Sequence, residues 1–322
     1  MAGPADYGDL ITTTIENRTK TIKDNLSINT ALLAKLKMKG KMRTFSGGRT
    51  IDEELVYSGP GNSGYYSGYD QLGMSQGEML TMAEFAIKQA AVTISMSGLE
   101  ELQNAGAEQF IDLYAARLDA GSKELVNLLS DGLYSDGTGS GGKQIGGLQL
   151  LIADDGTGTV GGINASTYSW WANQFYDFSA NSVVPSAATI TSAMNTLYLA
   201  CSRNRDQPDL IVADDTYYTY YEESLQPIQR IADSKMADAG FQNLKYKGAA
   251  VIPDGALNGS APASHMYFLN TDFISWRPHA KRNVVQLNPE RFTANQDAMS
   301  RIIAWAGNAT VSGRKFQGAI VA

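Results

Sequence analysis

The sequence predicts an α+β protein organised around one long helix, and three observations carry that prediction. A helical period runs from Ala107 to Leu133, strand-like alternation precedes it and returns near the end of the chain, and from residue 186 amphipathic helices alternate with apolar strands. At 322 residues the chain has room for two domains, or for one with large excursions.

Residues 1–45 carry Glu16, Arg18, Lys20, Lys23 and Asp24, with few large apolar side chains before Leu32. Such a segment cannot bury a core by itself and reads as an arm. Lys35, Lys37, Lys39 and Lys41 alternate with Leu36, Met38 and Met42, which predicts an extended stretch lying against another surface.

Residues 46–97 predict a long hairpin. RTIDEELVYS is strand-like, GPGNSGYYSGYDQLG consists of turn formers and tyrosines, and MLTMAEFAIKQAAVTISMS alternates with Ala90, Val92, Ile94 and Met96 on one side. Two strands alone are only marginally stable in water, so such a finger needs a surface outside its own fold. Tyr65, Tyr66 and Tyr69 at its tip have the amphipathic rings that interfaces favour.

Ser97 and Glu100 have the spacing of a capping box, which predicts a short helix over SGLEELQN, separated by Gly106 from the long one. In the long helix Phe110, Tyr114, Leu118, Leu125, Leu128 and Leu129 fall on one side, and Asp112, Asp119, Lys123 and Asn127 on the other. At ~1.5 Å per residue it spans roughly 40 Å, enough to cross a domain. Gly121 on the apolar side leaves room for a neighbouring strand, Asp119 and Lys123 make an i,i+4 pair, and Asp136-Gly137 ends the helix.

Gly137 to Lys143 has the spacing G-x-x-x-x-G-K of a phosphate-binding loop, but a helix precedes it, Gln144 follows the lysine and IGGLQLLI reads as extended. A nucleotide site is therefore not expected. From residue 186, SAATITSAMNTLYLACSR predicts a helix opened by Ser186, PDLIVAD a buried strand, and DTYYTYYEESLQ a helix capped by Asp214 or Asp215. A helical stretch over Gln229 to Met236, a strand in LKYKGAAVIPD, and strands in MYFLN and ISWRP complete a small sheet with helices on its faces. The last 26 residues read as β structure returning to pair near the long helix.

The composition excludes several functions. A net charge of -7 and a pI near 5.0 argue against gripping nucleic acid through bulk phosphate neutralisation. Cys201 is the single cysteine, so no disulfide forms within the chain, no Cys/His zinc spacing exists, and a reducing interior fits. No apolar run is long enough for a membrane span, and the basic-then-apolar order of a signal peptide is missing at the N-terminus. His265 and His279 lack metal-site spacing, and Asp154-Asp155-Gly156 reads as a turn and not a calcium loop. No nucleophile elbow is present, and Asp52, Glu53 and Glu54 alternate faces in a strand, so neither cofactor nor catalysis is expected.

Arm, hairpin, long helix, α/β region and returning β segment, in that order, resemble the major capsid proteins of tailed bacteriophages, the HK97-type shell family. The resemblance covers nearly the whole chain. Its carriers are GGRTIDEELVYSGPGNSGYYSGYD, the helix from Ala107 to Leu133, QIGGLQLLIADDGTGTVGGINASTYSWW and the C-terminal RIIAWAGNATVSGRKFQGAIVA. It implies an HK97-like fold with an N-terminal arm at 1–45, an extended loop at 46–97, a peripheral domain with the spine helix at 98–145 and 284–322, and an axial domain at 146–283.

The implied function is mechanical. Copies assemble as hexamers and pentamers into an icosahedral head in the host cytoplasm, enclosing double-stranded DNA without sequence-specific binding. Implied partners are other capsid subunits, a separate scaffolding protein, a portal and a decoration protein; an encapsulin-type compartment is the alternative. The family's namesake crosslinks a lysine of its extended loop to a neighbour's asparagine. No lysine lies between Lys41 and Lys88 here, so a shell without isopeptide bonds is expected. Charge complementarity further predicts contacts between subunits from Asp52, Glu53 and Glu54 to Arg277, Lys281 and Arg282, with Tyr65, Tyr66 and Tyr69 joining the interface.

Overall fold

The computed structural model describes residues 31–74, 77–103, 113–225, 244–255, 260–292 and 297–322. The expected helix over 229–236, the first residues of the arm and the start of the long helix lie outside these. The described chain runs α1 (Ala31–Met38), β1 (Thr50–Val56), β2 (Leu80–Ala86), β3 (Lys88–Ser97), α2 (Gly98–Gln103) and α3 (Leu113–Gly132). It continues through β4 (Thr159–Val160), β5 (Ile163–Asn164), β6 (Gln174–Asp177), α4 (Ile190–Cys201), β7 (Leu210–Ala213) and α5 (Asp215–Ser224). The last elements are β8 (Leu244–Tyr246), β9 (Ala249–Pro253), β10 (Met266–Leu269), β11 (Ile274–Pro278), β12 (Val285–Phe292), β13 (Ala298–Val311) and β14 (Gly318–Val321).

The long helix α3 and the strand β13 form the frame of one half. β13 pairs antiparallel with β3 along one edge and with β12 and then β11 along the other. Leu125, Leu129 and Leu133 of the α3 region are buried, while Leu128, expected on the apolar side, is half exposed. Gly121 lies against β3, as its position predicted. A Cβ there would stand 2.8 Å from Ile94 Cγ1, so any larger residue forces the Ile94 side chain to move. Asp119 and Lys123 pair on the solvent side.

The capping box forms as its spacing predicts. The Ser97 amide donates to Glu100 Oε2 at 2.9 Å, and the Glu100 amide to Ser97 Oγ at 3.3 Å. Arg117 of α3 also donates to Glu100 Oε1 at 2.8 Å, tying α2 to the long helix. That hydrogen bond from Arg117 is the main reason why the Glu100 carboxyl is held down at about 2.

The other half is a six-stranded sheet in the order β6-β14-β10-β7-β9-β8. All four residues of β7 are buried, because alternate side chains enter different cores. Leu210 and Val212 join the core shared with the long helix and the hairpin root. Ile211 and Ala213 join a second core with α4 and α5. Asp214 is the N-cap of α5, accepting from the Tyr217 amide at 2.9 Å. Cys201 is fully buried in the second core and burial pushes its thiol up to about 12, so it behaves as a small hydrophobe.

Five sequence expectations are corrected. MLTMAEFAIKQAAVTISMS is not one hairpin strand: it breaks at Ile87, only β2 pairs with β1, and β3, which carries Ala90, Val92, Ile94 and Met96, finds its ten-residue partner in β13 instead. Residues 31–38 form a helix, because Leu32 and Leu36 lie one turn apart and both bury. Extended backbone begins only after it, where Met42 and Phe45 bridge in parallel to Trp276 and His279. IGGLQLLI holds a helical turn at Leu148–Leu151, because the chain doubles back and the Leu148 amide reaches the Leu133 carbonyl at 2.6 Å. LKYKGAAVIPD is two antiparallel strands turning at Lys247-Gly248, both at positive φ. Finally, β11 belongs to the sheet with β13, while β14 pairs with β10 and β6, so sheet membership crosses the boundary expected at 283 and 284 in both directions.

Candidate assembly interface

β1 and β2 pair antiparallel in continuous register, from Thr50 opposite Ala86 to Val56 opposite Leu80. With a period of two, Ile51, Glu53 and Leu55 face inward with Ala83 and Phe85, and the four apolar side chains bury in the main core. The inward position of Glu53 requires compensation. Arg277 Nη1 donates to its Oε1 at 3.1 Å, and Thr310 Oγ1 donates to the same oxygen at 2.9 Å. At the other edge the Glu84 amide donates to the Gly161 carbonyl at 3.0 Å. Gly161 has φ 61°, and a Cβ on it would lie 3.3 Å from Ala83 Cα, so the β4–β5 turn sits flat on the hairpin. Tyr57 stacks on Trp170 at 5.1 Å.

The root of the hairpin is therefore fastened to its own chain. The tip is not covered: Tyr65 and Tyr69 are fully exposed, and Tyr66, Leu72 and Met74 largely so. The outward face of the root carries Asp52, Glu54, Val56, Leu80, Met82 and Glu84, all exposed. Asp52 lies directly opposite Glu84 in the register.

Of the nine residues expected at contacts between subunits, the structure brings two together, and it does so within one chain. Glu53 and Arg277 pair within the chain through one Nη1–Oε1 contact, because position 53 faces the core, while Arg277 Nε is buried without a hydrogen-bond partner among the described residues. Asp52, Glu54, Lys281, Arg282 and the three tyrosines remain at the surface. Lys281 and Arg282 cap the turn between β11 and β12, where the Lys281 amide donates to His279 Nδ1 at 3.1 Å and the Arg282 amide to the His279 carbonyl at 3.0 Å. The sequence reading missed Glu84, Tyr57 and Trp170. The period-two step from Leu80 through Met82 was the available signal for Glu84.

The remaining candidates for chemistry resolve into structural roles. The 137–143 loop is a turn with positive φ at Gly137, Ser140, Gly141 and Gly142. Asp155 accepts from the Thr157 hydroxyl and amide in a turn, and those bonds lower its pKa. Burial works against a charge on His265, but its hydrogen bonds to Asp154 and the Ala263 carbonyl prevail, and its pKa rises. Among the described residues, no group of three His, Cys, Asp or Glu side chains is placed to hold a metal, and no helix is long and apolar enough to cross a membrane.

No family model and no curated protein matches the chain in sequence. Solved structures do match. The capsid asymmetric unit of cyanophage A-1(L) aligns with a TM-score of 0.70 at 16% identity, over 95% of this chain and 96% of that one. The fold is that of the HK97-type capsid proteins. The capsid protein of a native GTA particle has the same HK97-type fold, with a TM-score of 0.63 at 10% identity over 100% of this chain and 99% of that one. The holo-SrpI encapsulin complex of Synechococcus elongatus PCC 7942 matches with a TM-score of 0.60 at 8% identity, over 100% and 96%.

Proposed function

We propose that this chain is a capsid shell protein, assembling in many copies as hexamers and pentamers into an icosahedral phage head around double-stranded DNA. The single observation that carries the reading is the hairpin. Its root is bound into the core of its own chain, yet it presents an uncovered apolar and aromatic tip together with an acidic outer face. A monomer gains nothing from exposing that surface, whereas a lattice of modest contacts spread over several neighbours makes a strong wall. The HK97-type fold, with its likeness to phage capsids over almost the full chain, supports the same reading. The net charge of -7 suits a container that must not adhere to a packaged polyanion.

In this reading the region of α3 and β13 is the peripheral domain and the six-stranded sheet the axial domain. Scaffolding, portal and decoration proteins are the partners, the assembly forms in the host cytoplasm, and the chain is not an enzyme. The wall is held by packing and charge, since no lysine for a covalent bond lies between Lys41 and Lys88. Electron microscopy of particles purified from expressing cells tests the proposal. Closed shells of hexamers and pentamers are expected, migrating as monomer in denaturing electrophoresis; soluble monomers alone overturn it, and covalent ladders overturn the uncrosslinked wall. The encapsulin likeness favours a second reading, a cellular compartment, for which the same particles contain protein cargo and no genome-length DNA.

A further inference from the structure

Beside β2 the outer face of the hairpin and the Gly161 turn enclose an open cleft of about 480 Å³. Glu78 and Glu84 line it, with the rings of Tyr57, Tyr168 and Trp170 and the apolar side chains of Leu80 and Met82; no basic side chain does. Neither carboxylate has a basic partner among the described residues. Four features of the cleft select the same kind of guest. Two carboxylates attract a cation, and aromatic faces add attraction for a guanidinium or ammonium group. Leu80 and Met82, 71% and 45% exposed, offer a surface for the methylene stem of a long basic side chain. Asp52 directly opposite Glu84 is a like-charge cross-strand pair, which costs stability until a cation relieves it.

We infer that this cleft receives the turn between β11 and β12 of a second copy of the chain, with Lys281 and Arg282 entering between the Glu78 and Glu84 carboxylates and the rings. Lys281 and Arg282 are adjacent, exposed and without an acidic partner among the described residues. The turn is also rigid, held by the Ala280 amide on the Phe45 carbonyl at 2.8 Å as well as by His279. Its strand β11 sits against β1 through Arg277, whereas the cleft is built on β2 and the Gly161 turn. Donor and acceptor are thus different patches of one chain, and such a contact is head to tail, the kind that closes into rings.

The inference rests on the shell reading and adds the residues that join adjacent subunits. Its test is a charge swap in the full chain, read by electron microscopy and sedimentation. Glu78→Lys with Glu84→Lys, or Lys281→Glu with Arg282→Glu, is expected to lower the assembled fraction by about tenfold or more, and the four changes together to restore it. Glu78→Gln with Glu84→Gln serves as the milder variant, and unchanged thermal unfolding of the dissociated subunits shows that all of them fold. Assembly indifferent to either reversal, or a loss that the combined swap does not repair, overturns the assignment. If the wild-type chain forms no particles, the shell reading falls and this contact with it; if wild type and cleft variants assemble alike, only the contact falls.

Discussion

Arg277 on β11 and Glu53 on β1, 224 positions apart, form an ion pair at 3.1 Å with side chains only 19% and 15% exposed. The finger that the chain presents to its surroundings is thereby locked to its own body at the root. Glu53→Ala strands a guanidinium against the core and leaves the Thr310 hydroxyl only its longer bond to the Ser275 carbonyl at 3.4 Å. The expected loss is about 1.5–3 kcal/mol in urea unfolding of dissociated subunits. In a double-mutant cycle with Arg277→Met, a coupling near zero contradicts the role given to the pair.

The close approach of α3 and β3 makes Gly121 a sensitive position. Alanine is the better helix former by about 1 kcal/mol, but its methyl collides with Ile94, which is buried between helix and sheet. Overpacking of this kind costs about 1–3 kcal/mol, so Gly121→Ala is expected to destabilise. Pairing it with Ile94→Ala vacates the space and recovers part of the loss. A Gly121→Ala chain that melts higher than wild type refutes the steric account.

Much of this architecture was legible because it is periodic and local. The spine helix, the hairpin strand β1, the buried strand at Leu210–Ala213 and the cap at Ser97 each declare themselves within about ten residues, whereas the alternation that runs on from β2 into β3 hides the change of partner at Ile87. The misreadings depended on distant partners. The alternation of lysines around Leu36 suits a strand as well as a helix, and the helix wins because Leu32 and Leu36 enter the core while Lys35 on the same helix reaches Asp209 at 3.6 Å. No pattern within Gly318–Val321 states that it joins a different sheet from β13, only seven residues earlier. The alternation of Asp52, Glu53 and Glu54 puts Glu53 on the opposite face from its neighbours, but its partner Arg277 lies in another segment and no local pattern names it.

The capping box offers a third test. Ser97→Ala removes the acceptor for the Glu100 amide and is expected to cost about 1 kcal/mol. Ser97→Thr keeps the oxygen and should cost less. Glu100→Gln preserves the shape of the box but weakens the bond from Arg117, so its penalty should shrink as the pH falls toward 2, where the wild-type carboxyl protonates. A pH-independent penalty rules out the ion pair as its source.

Asp254, at the end of β9, accepts a hydrogen bond from Tyr134 beyond the long helix and is almost fully buried. Burial is the main reason its carboxyl is raised from 3.8 to about 6; the charge of Asp215 pushes the same way and the Tyr134 hydroxyl pushes back. For an acid raised on folding, the native state holds its proton more tightly than the unfolded chain. The protonated form therefore favours folding most below 3.8, and this contribution disappears as the pH rises through 6. At pH 8 the buried carboxylate is a burden of roughly 3 kcal/mol at 1.36 kcal/mol per pH unit. Asp254→Asn keeps an acceptor for Tyr134 without the charge, so it is expected to be more stable than wild type at pH 8 and to lose that advantage near pH 4. Urea titrations at the two pH values measure the difference, and an asparagine variant less stable at pH 8 contradicts the assignment of Asp254 as a destabilising buried charge.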